Sequence, residues 1–362
     1  MIPENRISLR THLAAAAVLL LMAALFFFFL QPKRPLHPQA DTAEPVYGSA
    51  AVYFSQPGTL QSRSLRGGPD AALAAAIEAA RYSVDMAVYR LDLWSIRDAL
   101  ITAAKRGVRV RLVVEGDHGS APEVEAIRRA GIDVAADERE PLMHHKFVVI
   151  DLYEVWTGSM NFTLNGVYRN NNNLIRIQSR PLAEAYLREF EELFLARRFG
   201  ALSAPDPIPE KIEIEGGWLI AYFSPDSDVA GAIDPWLAAA REEIDLLAFN
   251  FTSDLLGARL IERINAGVRV AGVLESSQAE NSGSEYERLR EAGADLRLDR
   301  NPNDMHHKVI IIDGELVITG SYNFSRAAQE ENDENLLLIY QPDIAGQYLI
   351  EFGDLYEAAR PR

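Results

Sequence analysis

From about residue 70 onward, short apolar runs rich in β-branched residues alternate with stretches whose apolar positions recur every three to four residues. The pattern predicts helix over Ala71–Tyr82, strand over Val84–Tyr89, helix over Leu93–Arg106 and strand over Val108–Val114. The same order returns later, with helix over Asp234–Glu243, strand over Ile244–Phe251, helix over Asp254–Ala266 and strand over Val268–Leu274. Gly107 and Gly267 stand where a helix must close. Phe147–Asp151 and Val309–Asp313 read as further strands, each followed by a turn and a second strand ending at Gly158 or Gly320. Such alternation predicts an α/β fold with βαβ units and a largely buried sheet in each part.

The recurrence is an internal repeat. Tyr53-Phe54-Ser55 is answered by Tyr222-Phe223-Ser224, Gly107-Val108-Arg109-Val110 by Gly267-Val268-Arg269-Val270, and Met143-His144-His145-Lys146 by Met305-His306-His307-Lys308. The offset settles at 160 and then 162 residues, too long for a solenoid period and suited to a duplicated domain. The expected domains are therefore 50–200 and 213–362. Residues 201–212 form a linker broken by Pro205, Pro207 and Pro209.

One segment lies outside the repeat. Leu13–Leu30 is eighteen residues without a charge, flanked by Arg6, Arg10, Lys33 and Arg34. That length spans a bilayer, and the run ends in bulky phenylalanines instead of a small-residue cleavage site. Residues 1–31 are thus expected to form a tail and an uncleaved single-pass transmembrane helix, and 32–49 a Pro-rich tether. The expected location is a membrane, with the folded body extracytoplasmic.

Charge narrows the possible partners. The chain has 36 basic and 52 acidic side chains, a net charge of −16, which argues against binding by wholesale phosphate neutralisation. Residues 50–200 carry 19 basic and 19 acidic groups whereas 201–362 carry 13 and 30, so the second repeat holds the surplus. Glu280, Glu285, Glu287 and Glu291 read as the solvated face of a helix. Cysteine is absent, which excludes disulfides, zinc ribbons, iron–sulfur clusters and thiol nucleophiles.

The candidate chemistry is a motif that occurs twice at one spacing. His144, Lys146, Asp151, Gly158, Ser159 and Asn161 fit H-x-K-x4-D-x6-G-S-x-N, as do His306, Lys308, Asp313, Gly320, Ser321 and Asn323. Of seven His and five Lys in the chain, these two segments hold four and two. On a strand, residues two apart share a face, so each copy offers an imidazole beside an ammonium. Lys supplies fixed positive charge and the Ser hydroxyl and Asn amide supply donors, a set able to hold a phosphoryl oxygen while charge develops on it. Two facing half-sites give one histidine for each end of an in-line displacement. His145 and His307 point the other way and read as packing groups. Asp151 and Asp313, at the far end of the strand, suit a salt bridge or structural hydrogen bond.

These paired motifs resemble those of the phospholipase D superfamily, and the resemblance covers residues 50–360. It implies two tandem, pseudo-symmetric α/β domains with mixed sheets flanked by helices, packed so that the motifs meet. It also implies a covalent phosphohistidine formed without metal or other cofactor. Carried over, the catalytic set is His144, Lys146, Asp151, His306, Lys308 and Asp313, with His144 as nucleophile and His306 as acid. Lys146, Lys308, Asn161 and Asn323 would bind the phosphoryl group, supported by Ser159 and Ser321. The family places an acidic residue and Asn shortly after the motif. Glu334-Asn335 fits this in the second copy, whereas Asn172-Asn173 stands in the first. A carboxylate beside one imidazole and an amide beside the other would give the two unequal basicity. Glu115 and Glu275, just after matching strands, are candidates for the missing carboxylate. The implied substrate is a phospholipid headgroup at a membrane surface, with nucleic-acid phosphodiesters or phosphatidyl transfer of the cardiolipin synthase kind as alternatives. The catalytic unit is expected to be complete within one chain.

Overall fold

The computed structural model describes residues 50–361 other than 204 and 206. The expected anchor and tether lie outside the described residues. Among the described residues no helix is long and apolar enough to cross a membrane.

The first repeat runs β1 (Ala50–Phe54), α1 (Pro69–Ala79), β2 (Ser83–Val88), α2 (Trp94–Lys105), β3 (Arg109–Glu115), α3 (Pro122–Arg129), β4 (Asp133–Asp137), β5 (Lys146–Ile150), β6 (Glu154–Gly158), β7 (Asn173–Gln178) and α4 (Arg180–Glu191). The second runs β8 (Ile212–Ile214), β9 (Gly217–Ser224), α5 (Val229–Ala239), β10 (Glu243–Ala248), α6 (Asp254–Asn265), β11 (Arg269–Leu274), α7 (Tyr286–Glu291), β12 (Asp295–Leu298), β13 (Lys308–Ile312), β14 (Leu316–Gly320), β15 (Glu334–Tyr340), α8 (Pro342–Ala358) and β16 (Arg360–Pro361).

The repeats build the same sheet. The first has order β1-β7-β6-β5-β2-β3-β4, and the second has the equivalent order with β8 and β16 added at its edges. Each sheet is mixed, as expected. β2, β3 and β4 are parallel, as are β10, β11 and β12, and the other pairings are antiparallel. Helix α5 starts at Val229, five residues before the expected Asp234, because the Asp228 carboxylate caps the Gly231 N–H at 3.0 Å and opens an earlier apolar stripe of Val229, Ile233 and Leu237. Of the acidic series only Glu287 and Glu291 lie on a helix, α7, where both are exposed, and Glu280 is exposed in the turn before it. Glu285 is buried, and α6 presents Gly257 where a Cβ would collide with its carboxylate.

Strand alternation assigns the layers. In β5, Val148 and Ile150 face an outer core closed by α1, α2 and α3, while Phe147 and Val149 face a central core. In β13, Ile310 and Ile312 face outward, and Val309 and Ile311 face the same central core. That central core belongs to both repeats. Tyr186 and Phe190 of α4 and Tyr348 and Phe352 of α8 fill it between the inner faces of the two sheets. Helix α4 touches β9 of the second repeat and α8 touches β1 of the first. Burying apolar area between the sheets is what brings the two motif-bearing strand ends together.

Candidate functional site

The two motifs are stitched across the repeats by short parallel bridges, Met143 with Asp333 and Asn171 with Met305. His144 N–H donates to the Asp333 carbonyl and His306 N–H to the Asn171 carbonyl, each at 2.9 Å. Each histidine is therefore anchored to the segment that leads into β15 or β7 of the opposite repeat.

The side chains cross over in the same way. His144 Nδ1 lies 2.8 Å from both carboxylate oxygens of Glu334, and His306 Nδ1 lies 2.9 Å from Asn172 Oδ1. The tautomers follow from the partners. A carboxylate accepts, so Nδ1 of His144 carries the proton. Asn172 donates its amide Nδ2 to the Gly166 carbonyl at 2.9 Å, which leaves Oδ1 toward His306, so Nδ1 is again the donor. With Nδ1 engaged in both rings, Nε2 is the nitrogen left for chemistry, and the Ser159 backbone also lies within hydrogen-bond reach of the His306 ring. The unequal pairing expected from the sequence is present, with each partner supplied by the other repeat.

Both histidines and both lysines are buried. Lys146 Nζ donates to the His144 carbonyl at 2.7 Å and Lys308 Nζ to the His306 carbonyl at 2.9 Å, fixing each ammonium beside its own imidazole. Burial pushes His144 and His306 well below the usual imidazole range, and the two lysines push them further. Burial also pushes Lys146 down to about 7, against the pull of Glu334, and Lys308 well below the usual amine range. The Glu334 carboxyl is pushed up to about 7 by burial, opposed chiefly by Lys146. Burial and the neighbouring ammonium groups thus both favour the neutral form of the two imidazoles. A phosphodiester between the two lysines would restore positive charge to the site.

The Gly-Ser-x-Asn tail is explained by close approach. At Gly158 (φ 144°) and Gly320 (φ 158°) a Cβ would lie 2.4 and 2.2 Å from the carbonyl oxygens of Asn173 and Asn335. The serines serve the amides instead of an open space. Ser159 Oγ donates to the Oδ1 atoms of Asn172 and Asn173 at 2.9 Å, while Ser321 Oγ accepts the Asn335 N–H at 2.9 Å and its hydroxyl donates to the Glu334 carboxylate. Asn161 and Asn323 each leave a buried Oδ1 without a hydrogen-bond partner among the described residues, an unsatisfied polar group at matching positions.

Several expectations are corrected. Asp151 and Asp313, which the resemblance put in the catalytic set, are the structural hydrogen-bond groups that their place at the far strand end suggested: Asp151 accepts the N–H groups of Arg81, Tyr82 and Ser83 at 2.9, 2.7 and 2.9 Å, and Asp313 those of Arg241, Glu242 and Glu243 at 2.9, 2.8 and 3.0 Å. Glu115 and Glu275 do not pair with a histidine. They accept the N–H groups of Met143 and Met305 at 2.7 and 2.8 Å and so hold the residue before each motif histidine. Asn335 and Asn173 reach the neighbouring histidines instead, His145 at 3.2 Å and His307 at 3.3 Å, whose far ring nitrogens meet Glu189 and Glu351.

Two residues escaped the sequence reading. The half-buried rings of Tyr89 and Phe249 sit edge-on or tilted to His144 and His306, with centroids at 4.9 and 4.8 Å, and against Lys146 and Lys308. They are repeat equivalents at offset 160, each just past its strand, and an aromatic at matching offsets was the available clue.

The chain matches the family model described as "Cardiolipin synthase, PLD-like domain" at residues 73–194 and again at 234–356. It is similar to the mitochondrial cardiolipin hydrolase of Chlamydomonas reinhardtii, 34% identical over 122 residues that cover 34% of this chain and 55% of that protein. A phospholipase D of Rickettsia bellii is 36% identical over 127 residues, covering 35% of this chain and 63% of that one. The chain therefore spans 55% and 63% of the length of these two curated relatives. Among solved structures, phosphatidylserine synthase of Haemophilus influenzae Rd KW20 shares the fold, with a TM-score of 0.61 and 13% identity over 81% of this chain and 85% of that one.

Proposed function

We propose, from the premise that the chain belongs to the phospholipase D-like domain family, that it is a phosphodiesterase working through a covalent phosphohistidine on phospholipid headgroups. The observation that carries this reading is the crossed pair of imidazoles, each with Nδ1 engaged and Nε2 left for chemistry, beside two buried lysines. His144 Nε2 attacks phosphorus and the P–O bond to the leaving alcohol breaks. His306 Nε2 gives that oxygen its proton, then takes one from water, which attacks phosphorus and frees His144. Glu334 stabilises positive charge on His144 as its bond to phosphorus forms. Asn172 gives His306 no such support and leaves it the more ready acid. Lys146, Lys308, Asn161 and Asn323 hold the non-bridging oxygens, and those four groups supply the charge neutralisation and donors the reaction needs without a metal.

The apolar run Leu13–Leu30 and the surplus acid of the second repeat favour a lipid over a polyanion. Repeats 50–200 and 213–362 act as two domains of one catalytic unit, anchored at the membrane on its extracytoplasmic side. The test offers the detergent-solubilised full chain phosphatidylcholine, cardiolipin and single-stranded DNA in parallel, with chelator present. Headgroup release from lipid is expected. DNA cleavage without lipid turnover would replace the lipid reading, and loss of all turnover on chelation would overturn the mechanism.

A further inference from the structure

The asymmetry between Glu334 and Asn172 is repeated one layer out. On the His144 side, Arg139 donates to Asp137 from Nε at 3.0 and 3.1 Å and from Nη2 at 2.8 Å, and Nη2 also meets Asp333 Oδ2 at 2.6 Å. Both carboxylates are buried. Asp333 is the residue whose carbonyl holds the His144 N–H, and it precedes Glu334. Its second oxygen accepts the N–H of Gly200, at the start of the connection between repeats. Gly200 (φ 51°) lies so close that a Cβ there would fall 2.0 Å from Arg139 Nη1. On the His306 side, the residues at offset 162 are Asp299, Asn301 and Asn171. There Asn301 Nδ2 donates to Asn171 Oδ1 at 2.7 Å and to the Arg169 carbonyl at 2.8 Å, a neutral contact in place of an ion cluster.

We propose that Arg139 is a positioning residue for the nucleophile: by clamping Asp137 and Asp333 together it keeps the Asp333-Glu334 segment in register against His144, so that the Glu334 carboxylate stays on Nδ1. The proposal rests on His144 acting as nucleophile. Arg139 does not touch the imidazole, so its influence passes through Asp333. The groups facing Asp333 are Arg139, the Gly200 N–H, His145 and Glu189, of which only Arg139 is a permanent cation. Those facing His144 are Glu334, Lys146, Lys308, His145 and the Tyr89 ring. With Arg139 removed, Asp137 and Asp333 lose their common partner, the segment that carries Glu334 is released, and the Glu334 carboxylate draws back from Nδ1 of His144, so the imidazolium loses support. Burial, which already pushes Asp333 up to about 7, adds a second cost to the same position.

The test uses the full chain in detergent and the pH dependence of kcat/KM for bis(p-nitrophenyl) phosphate. Arg139→Gln is expected to lower kcat about tenfold with little change in KM, and to move the acidic limb of the profile downward by about one pH unit, because an imidazole without its carboxylate takes up a proton only at lower pH. Arg139→Lys, which keeps the charge, should leave that limb where it is. Arg139→Gln with Asp333→Asn rebuilds the neutral arrangement present on the other side and should return both kcat and the limb toward wild type. A purely structural arginine, packed on Phe199, predicts loss without a moved limb and no recovery in the double variant, and either result overturns the proposal. Nitrogen chemical shifts of selectively labelled histidines, titrated in the same variants, read the His144 shift without turnover. If the wild-type chain hydrolyses no phosphodiester, the functional reading falls. The positioning role is then judged by those shifts alone: an unmoved His144 titration in Arg139→Gln ends it.

Discussion

Replacing Glu334 by Gln should make the protein more stable and less active, and both magnitudes can be worked from the site. Glu334 is completely buried, and its carboxyl is pushed from an ordinary 4.5 up to about 7. A carboxyl raised in the folded state costs nothing below its unfolded pKa, and the full cost is present above about pH 7. The difference of about 2.5 units corresponds to on the order of 3 kcal/mol at pH 8. Lys146 is left with less compensation when the carboxylate goes, so a net gain of about 1–3 kcal/mol is expected, or roughly 2–4 °C in Tm. By the same sign the gain should vanish near pH 4. Activity moves the other way. Exchanging a charge-assisted bond to Nδ1 for a neutral one removes about 1–2 kcal/mol of support for the developing imidazolium, roughly 5–30-fold in kcat. The loss grows if the new amide turns its NH2 toward Nδ1, because the ring must then carry its proton on Nε2 and cannot attack. Asn172 avoids that inversion through its bond to Gly166. Scanning calorimetry at pH 4 and pH 8, with initial rates on bis(p-nitrophenyl) phosphate, tests both halves. A Tm lowered by several degrees at pH 8, or a kcat within twofold of wild type, would refute the reasoning.

Other outcomes follow from the same geometry. Asn172→Asp should make His306 a weaker acid, slowing turnover of alkyl diesters by about tenfold or more while p-nitrophenyl esters, whose leaving group needs little protonation, lose much less. Asp313→Asn should cost about 1.5–3 kcal/mol in denaturant unfolding with kcat unchanged, because it removes a carboxylate that accepts three backbone N–H groups. The Asp313 carboxyl lies below the usual range, chiefly through those bonds and against its burial. Its stabilising contribution is therefore complete above pH 4 and fades as pH falls below. A protease site inserted at Ile208, which is 89% exposed, should allow cutting of the connection while gel filtration under native conditions still shows one particle, since the central core is shared by both repeats. Separation of the fragments would show that the shared core is too weak to hold them.

Much of this was legible in the chain because strands and helices announce themselves locally. The repeat offset, the βαβ order and the two motifs are short-range patterns, and β2, β5, β10 and β13 lie within a few residues of where periodicity places them. What periodicity cannot carry is which half serves which. Glu334 and His144 are 190 residues apart, and only the packing of α4 and α8 between the sheets brings them to 2.8 Å. Glu115 and Glu275 misled for a related reason. Strand ends near a site are occupied by acids that hold backbone, and a sequence does not distinguish a carboxylate facing Met143 N–H from one facing an imidazole. Arg139 has no counterpart in the other repeat, where Asn301 stands, so its place beside Asp333 emerges only from neighbours in space.

The crossed pairing also bears on why the two halves are one chain. Two identical halves meeting about a twofold axis must treat each other alike, so whatever residue one lends to its neighbour's histidine it also receives. Such a pair could place carboxylates on both imidazoles or amides on both, but never one of each. Covalent fusion lifts that constraint. Once the halves are separate stretches of a single gene, position 172 can drift to Asn while position 334 stays Glu, and division of labour between the histidines becomes heritable. The same release admits Arg139 and Asp333 on one side and Asn301 and Asn171 on the other, an asymmetry one layer out from the rings that a pair of identical halves could not hold.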